Sequence, residues 1–265
     1  MKTGPIAFFD SGVGGLTVLR AALRILPQEN FLYFADNKQV PYGDLSTDAI
    51  FRSTLAAMKF LVEMGAKAIV IACHTASVTC LPALQSQIPV PVIGVVEGSM
   101  HAVQGLKAGS SIALLGTTRT IQSGVYQALL QARGFRVLPV ACPSLVQIIE
   151  QGIFEGPMLE EKVRHDMAAL QGEKIDAVFF ACTHYPLIQP VIQRVLGSHI
   201  IYLDGTFHTA LRLSQMPFFN KKPSLQVYLT GRSEVFLRTV ESVLQRPVQY
   251  HVVNIGEPAI LPARM

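Results

Sequence analysis

Apolar residues fall along this chain in short, unbroken runs. Ile6–Phe9, Ala68–Ala72, Ile112–Leu115 and Ala177–Ala181 are wholly apolar, and each gives way to small or polar residues. Runs of that length predict strands covered on both faces, as in parallel sheets. Phe31–Phe34 and Pro91–Val96 are shorter versions of the same pattern. Helical stretches lie between them. Leu16–Leu26 follows a glycine turn, and Thr47–Met64 starts at Ser46 or Thr47 as N-cap and stops at Gly65, a good C′ residue. Thr120–Arg133 ends at Gly134, and Met158–Leu170 carries Leu159, Val163 and Met167 on one face. Strands alternating with helices predict an α/β fold with mostly parallel sheets, whose ligands gather at the carboxyl ends of the strands.

The pattern also repeats. Ile6-Ala-Phe-Phe-Asp-Ser aligns with Ile112-Ala-Leu-Leu-Gly-Thr, and Ala68-Ile-Val-Ile-Ala-Cys-His-Thr with Ala177-Val-Phe-Phe-Ala-Cys-Thr-His. Ile6 to Cys73 is 67 positions and Ile112 to Cys182 is 70. Two matches in one order at nearly one spacing predict two pseudo-symmetric α/β domains facing each other across a cleft. Cys73 and Cys182 then stand at the ligand end of each half. Cys80 and Cys142 have no repeat partner and are read as buried structural thiols.

Composition narrows the function classes. The 265 residues hold 22 Lys and Arg and 18 Asp and Glu, so 15% are charged, against about 25% in a typical domain. The net charge of +4 includes no basic block beyond the Lys221–Lys222 doublet, and there is no tryptophan, so nothing points to nucleic acid. No apolar run approaches the ~20 residues of a membrane span. The N-terminus reaches Asp10 and a glycine cluster too soon for a secretory signal, which predicts a cytoplasmic protein.

A facing pair of thiols can do three kinds of chemistry. Zinc takes Cys and His, but adjacent Cys73–His74 and Thr183–His184 do not easily converge on one ion. A redox disulfide is disfavoured in a cytosol, and a ligand between the sulfurs would hold them apart. Acid–base chemistry at carbon remains: a thiolate on one face removes a proton and a thiol on the other supplies one, inverting a stereocentre. A free thiol with pKa ~8.5 is only a few per cent thiolate at neutral pH, so neighbours must set the balance. His74, His184, Asp10 and Glu150 are the candidates.

Other ligand-end residues suit an amino-acid substrate. Asp10-Ser11-Gly-Val-Gly-Gly15 follows the first strand and opens a helix, where glycines let backbone N–H groups approach an anion. It is not the G-x-G-x-x-G of a dinucleotide site, and no NAD is inferred. Val40-Pro41-Tyr42-Gly43 is a turn whose backbone can contact substrate over a cleft. Thr117 and Thr120 occupy the matching loop of the second half, and Thr75 and Thr183 flank the thiols, all with hydroxyls to offer a carboxylate.

Six segments together resemble the glutamate racemases of the aspartate/glutamate racemase superfamily: Phe9–Val18, Ala35–Gly43, Ala72–Ser77, Gly116–Thr120, Ile148–Gly152 and Ala181–Leu187. The resemblance implies a cofactor-independent and metal-independent interconversion of L- and D-glutamate that supplies D-glutamate for peptidoglycan, in a cytoplasmic protein that is often a homodimer. It implies Cys73 at one face of the α-carbon and Cys182 at the other, with Asp10 assisting Cys73, and His184 and Glu150 assisting Cys182. Asp10, Ser11, Pro41, Tyr42, Gly43, His74, Thr75, Thr117, Thr120, Thr183 and His184 are the expected substrate-binding positions. It also implies two interlocked domains, 1–97 with 206–265, and 98–205. Two departures stand out. The family usually has Asn where this chain has His74, which is larger: it can still donate to a substrate carboxylate, as a cation it would hold Cys73 as thiolate, and its size could instead crowd the pocket. Leu203-Asp-Gly-Thr-Phe-His208 also differs from the family pattern. His74 is the marker for a second reading, a related racemase acting on aspartate or a hydantoin-type substrate. A third is an inactive amino-acid-binding homologue, against which the intact Cys73, Cys182, Asp10 and His184 argue.

Overall fold

The computed structural model describes residues 3–216 and 223–256. The Lys221–Lys222 doublet and the end of the proposed 206–265 segment lie outside them. Ten strands appear among the described residues, in chain order: β1 (Ile6–Asp10), β2 (Asn30–Ala35), β3 (Ala68–Ile71), β4 (Val92–Gly94), β5 (Ser111–Gly116), β6 (Arg136–Ala141), β7 (Ala177–Ala181), β8 (Ile201–Leu203), β9 (Ser224–Leu229) and β10 (Gln249–Val252). They form two sheets, β10-β9-β2-β1-β3-β4 and β6-β5-β7-β8, and every pairing is parallel. The fold is α/β, as the alternation predicted.

The repeat is structural down to register. In one sheet Ile6 pairs with Ala68; in the other Ile112 pairs with Ala177, the same residues that the sequence alignment superposes. The order β2-β1-β3-β4 is matched by β6-β5-β7-β8. The first sheet differs by gaining β9 and β10, which come from the end of the chain and pair alongside β2. The helix Thr206–Ser214 packs on both Leu16–Ile25 and Val95–His101, tying this returning segment to the first half. One core cluster includes Phe8 and Leu19 from the first half and Leu115, Ile149 and Phe180 from the second, so apolar burial runs from one sheet to the other.

Local signals explain most element ends. Ser46 Oγ accepts from Ala49 N at 3.2 Å and caps Thr47–Glu63, which stops before Gly65 at φ +78°. The expected helix Thr120–Arg133 is two helices, Thr118–Gln122 and Val125–Gln131, because Gly124 takes φ +69° between them. The run Pro91–Val96 splits as well: Val92–Gly94 is strand, and Val95 already begins the helix Val95–His101. Pro157–Asp166 tightens into a 3-10 turn over Met167–Leu170. Among the described residues no helix is long and apolar enough to cross a membrane.

Candidate active site

Equivalent strands deliver equivalent thiols. Past the end of β3 the chain reaches Cys73, the N-cap of the helix His74–Gln85, whose Sγ accepts from Ala76 N at 3.5 Å. Past the end of β7 it reaches Cys182. Both line one cavity, which Ser11, Tyr42 and Gly43 bound on the side of the first half and Thr117 and Thr183 on the side of the second. Pro41, His74, Thr75 and His184 complete the predicted lining, and Val146 joins them. The cavity is small: its volume is about 10 Å³, room for about one water. Larger clefts, such as that of about 260 Å³ beside Asp36 and Arg52, touch neither thiol.

Three predicted residues stand behind the wall. Asp10 is fully buried; its Oδ1 accepts from Gly12 N at 2.9 Å and its Oδ2 from the Thr183 hydroxyl at 3.2 Å. Thr120 hydrogen-bonds Thr75 at 3.1 Å and Thr117 at 3.0 Å, and Thr75 and Thr117 lie 2.9 Å apart. Those three hydroxyls satisfy one another across the two halves. Glu150 Oε1 accepts from His184 Nε2 at 2.6 Å, and His184 Nδ1 lies 3.7 Å from Cys182 Sγ.

The two thiols have unlike surroundings. Burial pushes the Cys73 thiol up, and the Asp10 charge adds to it; the Ala76 N–H and the Ser11 hydroxyl, 3.9 Å away, act the other way. Burial also raises Asp10 to about 6, although the His184 charge and the Gly12 N–H oppose it. For His184 burial works against the cation. Hydrogen bonds to Cys182 and Glu150, with the negative charge of both, outweigh it and carry the imidazole well above its ordinary value. Cys73 is thus held as a thiol beside a carboxyl, while Cys182 faces an imidazole that favours its charged form. Of the remaining cysteines, Cys80 donates to Ala76 O at 2.9 Å and Cys142 is buried in the large core cluster; neither lines the cavity.

The family model described as Asp/Glu/Hydantoin racemase matches residues 16–210. The chain belongs to the Asp/Glu/hydantoin racemase family. A glutamate racemase of Aquifex aeolicus is 36% identical over 250 residues, covering 94% of this chain and 97% of its own. The crystal structure of glutamate racemase isoform RacE1 from Bacillus anthracis superposes with TM-score 0.88 at 32% identity, covering 96% of this chain and 98% of that one. Glutamate racemase from Francisella tularensis, solved in complex with D-glutamate, superposes with TM-score 0.87 at 28% identity, covering 96% and 99%.

In this family member the glycine loop meets an anion, and that anion is internal. Val13 N donates to Glu150 Oε1 at 2.7 Å. A Cβ on Gly12 would stand 1.8 Å from that oxygen, and one on Gly14 would stand 2.4 Å from both His184 Nδ1 and Thr183 Oγ1. These glycines let the second half bring its acid–base groups against the first. Tyr33 fixes the loop from below, its hydroxyl donating to Gly12 O at 2.6 Å.

His74 overturns one expectation. Burial lowers it to about 3, so it is neutral across the working range and does not hold Cys73 as thiolate. Its Nδ1 lies 2.6 Å from the hydroxyl of Tyr126, a residue that sequence reading did not single out. Tyr126 sits at an ordinary apolar position of Val125–Gln131, and Val146 at one of Leu145–Glu150; neither carries a signal of its own.

Proposed function

We propose that this protein is a glutamate racemase in which Cys73 and Cys182 act from opposite faces of the α-carbon. In one direction a thiolate takes the Cα proton and becomes a thiol, and the opposite thiol gives its proton to the carbanion and becomes a thiolate. The reverse direction exchanges the roles, so no cofactor enters the balance. The observation that carries this reading is the shared cavity, to which register-matched strands bring both sulfurs. Asp10 keeps Cys73 protonated between turnovers, and the His184–Glu150 pair supports Cys182. Glutamate is supported as substrate by the relatives named above. The division into 1–97 with 206–265 and 98–205, a homodimer and a role in peptidoglycan supply belong to the same proposal.

A cavity of about 10 Å³ does not admit glutamate, so the rim opens to bind it and closes again, which excludes water. Arg119 Nη2 donates to Leu45 O at 2.8 Å, joining the segments that follow Thr117 and Gly43. The test is α-proton exchange in D₂O with each enantiomer of glutamate and aspartate and nothing added. Wild type should racemise glutamate with deuterium incorporation, while Cys73→Ala and Cys182→Ala lose racemisation. Near wild-type rates in both variants would refute the two-thiol reading, and turnover of aspartate alone would move the substrate assignment.

A further inference from the structure

His74 reaches the cavity with a nitrogen to spare. Nδ1 is engaged by Tyr126, whereas Nε2 has no hydrogen-bond partner among the described residues and is not among their buried unpartnered atoms. The ring itself lines the cavity beside Cys73 and Thr75. A neutral imidazole has one proton, and its tautomer decides what it shows a ligand. With the proton on Nδ1, Nε2 would turn a lone pair toward the site and repel a carboxylate. With the proton on Nε2, the ring donates.

We propose that Tyr126 is a positioning residue: its phenol donates to His74 Nδ1 and so commits the imidazole to present Nε2–H to a substrate carboxylate. This rests on the amino-acid racemase reading above. Donor strength and burial support the direction of that bond, and packing fixes its geometry. Phenol is the better donor and an imine nitrogen the better acceptor. Tyr126 is fully buried, and burial keeps its hydroxyl protonated, although the Ser99 hydroxyl acts the other way. The two rings lie 5.5 Å apart, and Tyr126 is held in turn against Phe179 at 5.6 Å, so the geometry is fixed by packing from the second half. The second half therefore reaches a ligand-facing atom of the first without touching the ligand.

Tyr126→Phe tests this, because it keeps the ring contacts and removes only the hydroxyl. The expected result is a rise of about tenfold in KM for glutamate with kcat within about twofold, the signature of binding lost equally from ground and transition states. The same substitution is made in a His74→Asn background. An amide has a permanent NH₂ donor that it can turn to the substrate without a tautomer being set, so there Tyr126→Phe should change KM less than twofold. ¹⁵N NMR of ring-labelled histidine, read on the protein without substrate, should show His74 protonated at Nε2 in wild type and a loss of that preference in Tyr126→Phe. A wild-type spectrum showing Nδ1–H overturns the proposal. So does an unchanged KM in Tyr126→Phe, or an equal rise in the His74→Asn background, which would mark a packing role. A wild type that racemises no amino acid would refute the function and leave the tautomer to be read from the spectrum.

Discussion

Glu150→Gln is the sharpest probe of the electrostatics behind Cys182. The substitution keeps the shape and leaves an amide oxygen able to accept from His184 Nε2, so what it removes is charge. Glu150 Oε1 lies 2.6 Å from that nitrogen, and the two side chains are only 12% and 3% exposed, so solvent screens the contact weakly. A hydrogen bond to a charged group contributes about 1.5–3 kcal/mol. At about 1.36 kcal/mol per pKa unit, the His184 imidazole should fall by about one to two units. Burial, which opposes the cation, is then met by Cys182 alone. The assay is a ¹⁵N and ¹H titration of ring-labelled histidine, with His184→Gln used for assignment. Thermal stability gives a second readout whose sign is fixed by linkage. The folded state binds the His184 proton more tightly than the unfolded chain, so this contribution is fully present below about pH 6.5 and disappears as pH rises through the folded value. In Glu150→Gln the contribution should be smaller and its loss should be complete at lower pH. An unchanged His184 midpoint would refute the reasoning, because the carboxylate would then not be supporting the cation.

Three further outcomes are expected. Asp10 is raised to about 6 by burial, so the folded state takes up its proton between about pH 4 and 6 and the resulting cost, about 3 kcal/mol, grows with pH. Asp10→Asn should flatten that part of the stability curve, and a parallel curve would count against a buried carboxyl. Gly14→Ala drives a methyl into His184 and Thr183 at 2.4 Å. It should cost about 1–3 kcal/mol and most of the turnover, checked by denaturant melts and steady-state rates. Cys80→Ala should keep racemisation near wild type while losing about 1 kcal/mol of stability, and a large loss of turnover would show that this thiol is not merely structural.

Legibility followed burial. β1, β3, β5 and β7 lie inside the sheets with every residue covered, and such strands advertise themselves as unbroken apolar runs. β6 opens on exposed Arg136 and contains Pro139, and β10 is exposed throughout, so neither gave a readable pattern. The pairing of β9 beside β2 joins segments nearly two hundred positions apart, which no local pattern encodes. In the site, the cavity-lining threonines and both thiols could be named because they follow readable strands. Tyr126, Val146 and Tyr33 could not, since each occupies an ordinary apolar position and acquires its neighbour only by packing.

The sequence by itself determined the two-fold plan. Repeated apolar runs ending in Ala-Cys fixed where each thiol would leave its sheet, because strand burial and strand ends are written in local residue types. Tertiary structure decided the electrical character of the site. Whether Asp10 holds its proton, whether His74 carries charge and which anion meets the Gly12–Gly15 loop depend on desolvation and on atoms from the other half, brought within 3 Å by the fold. Charge in a protein interior is set by what surrounds a group in space, and the order of residues along the chain does not contain that distance.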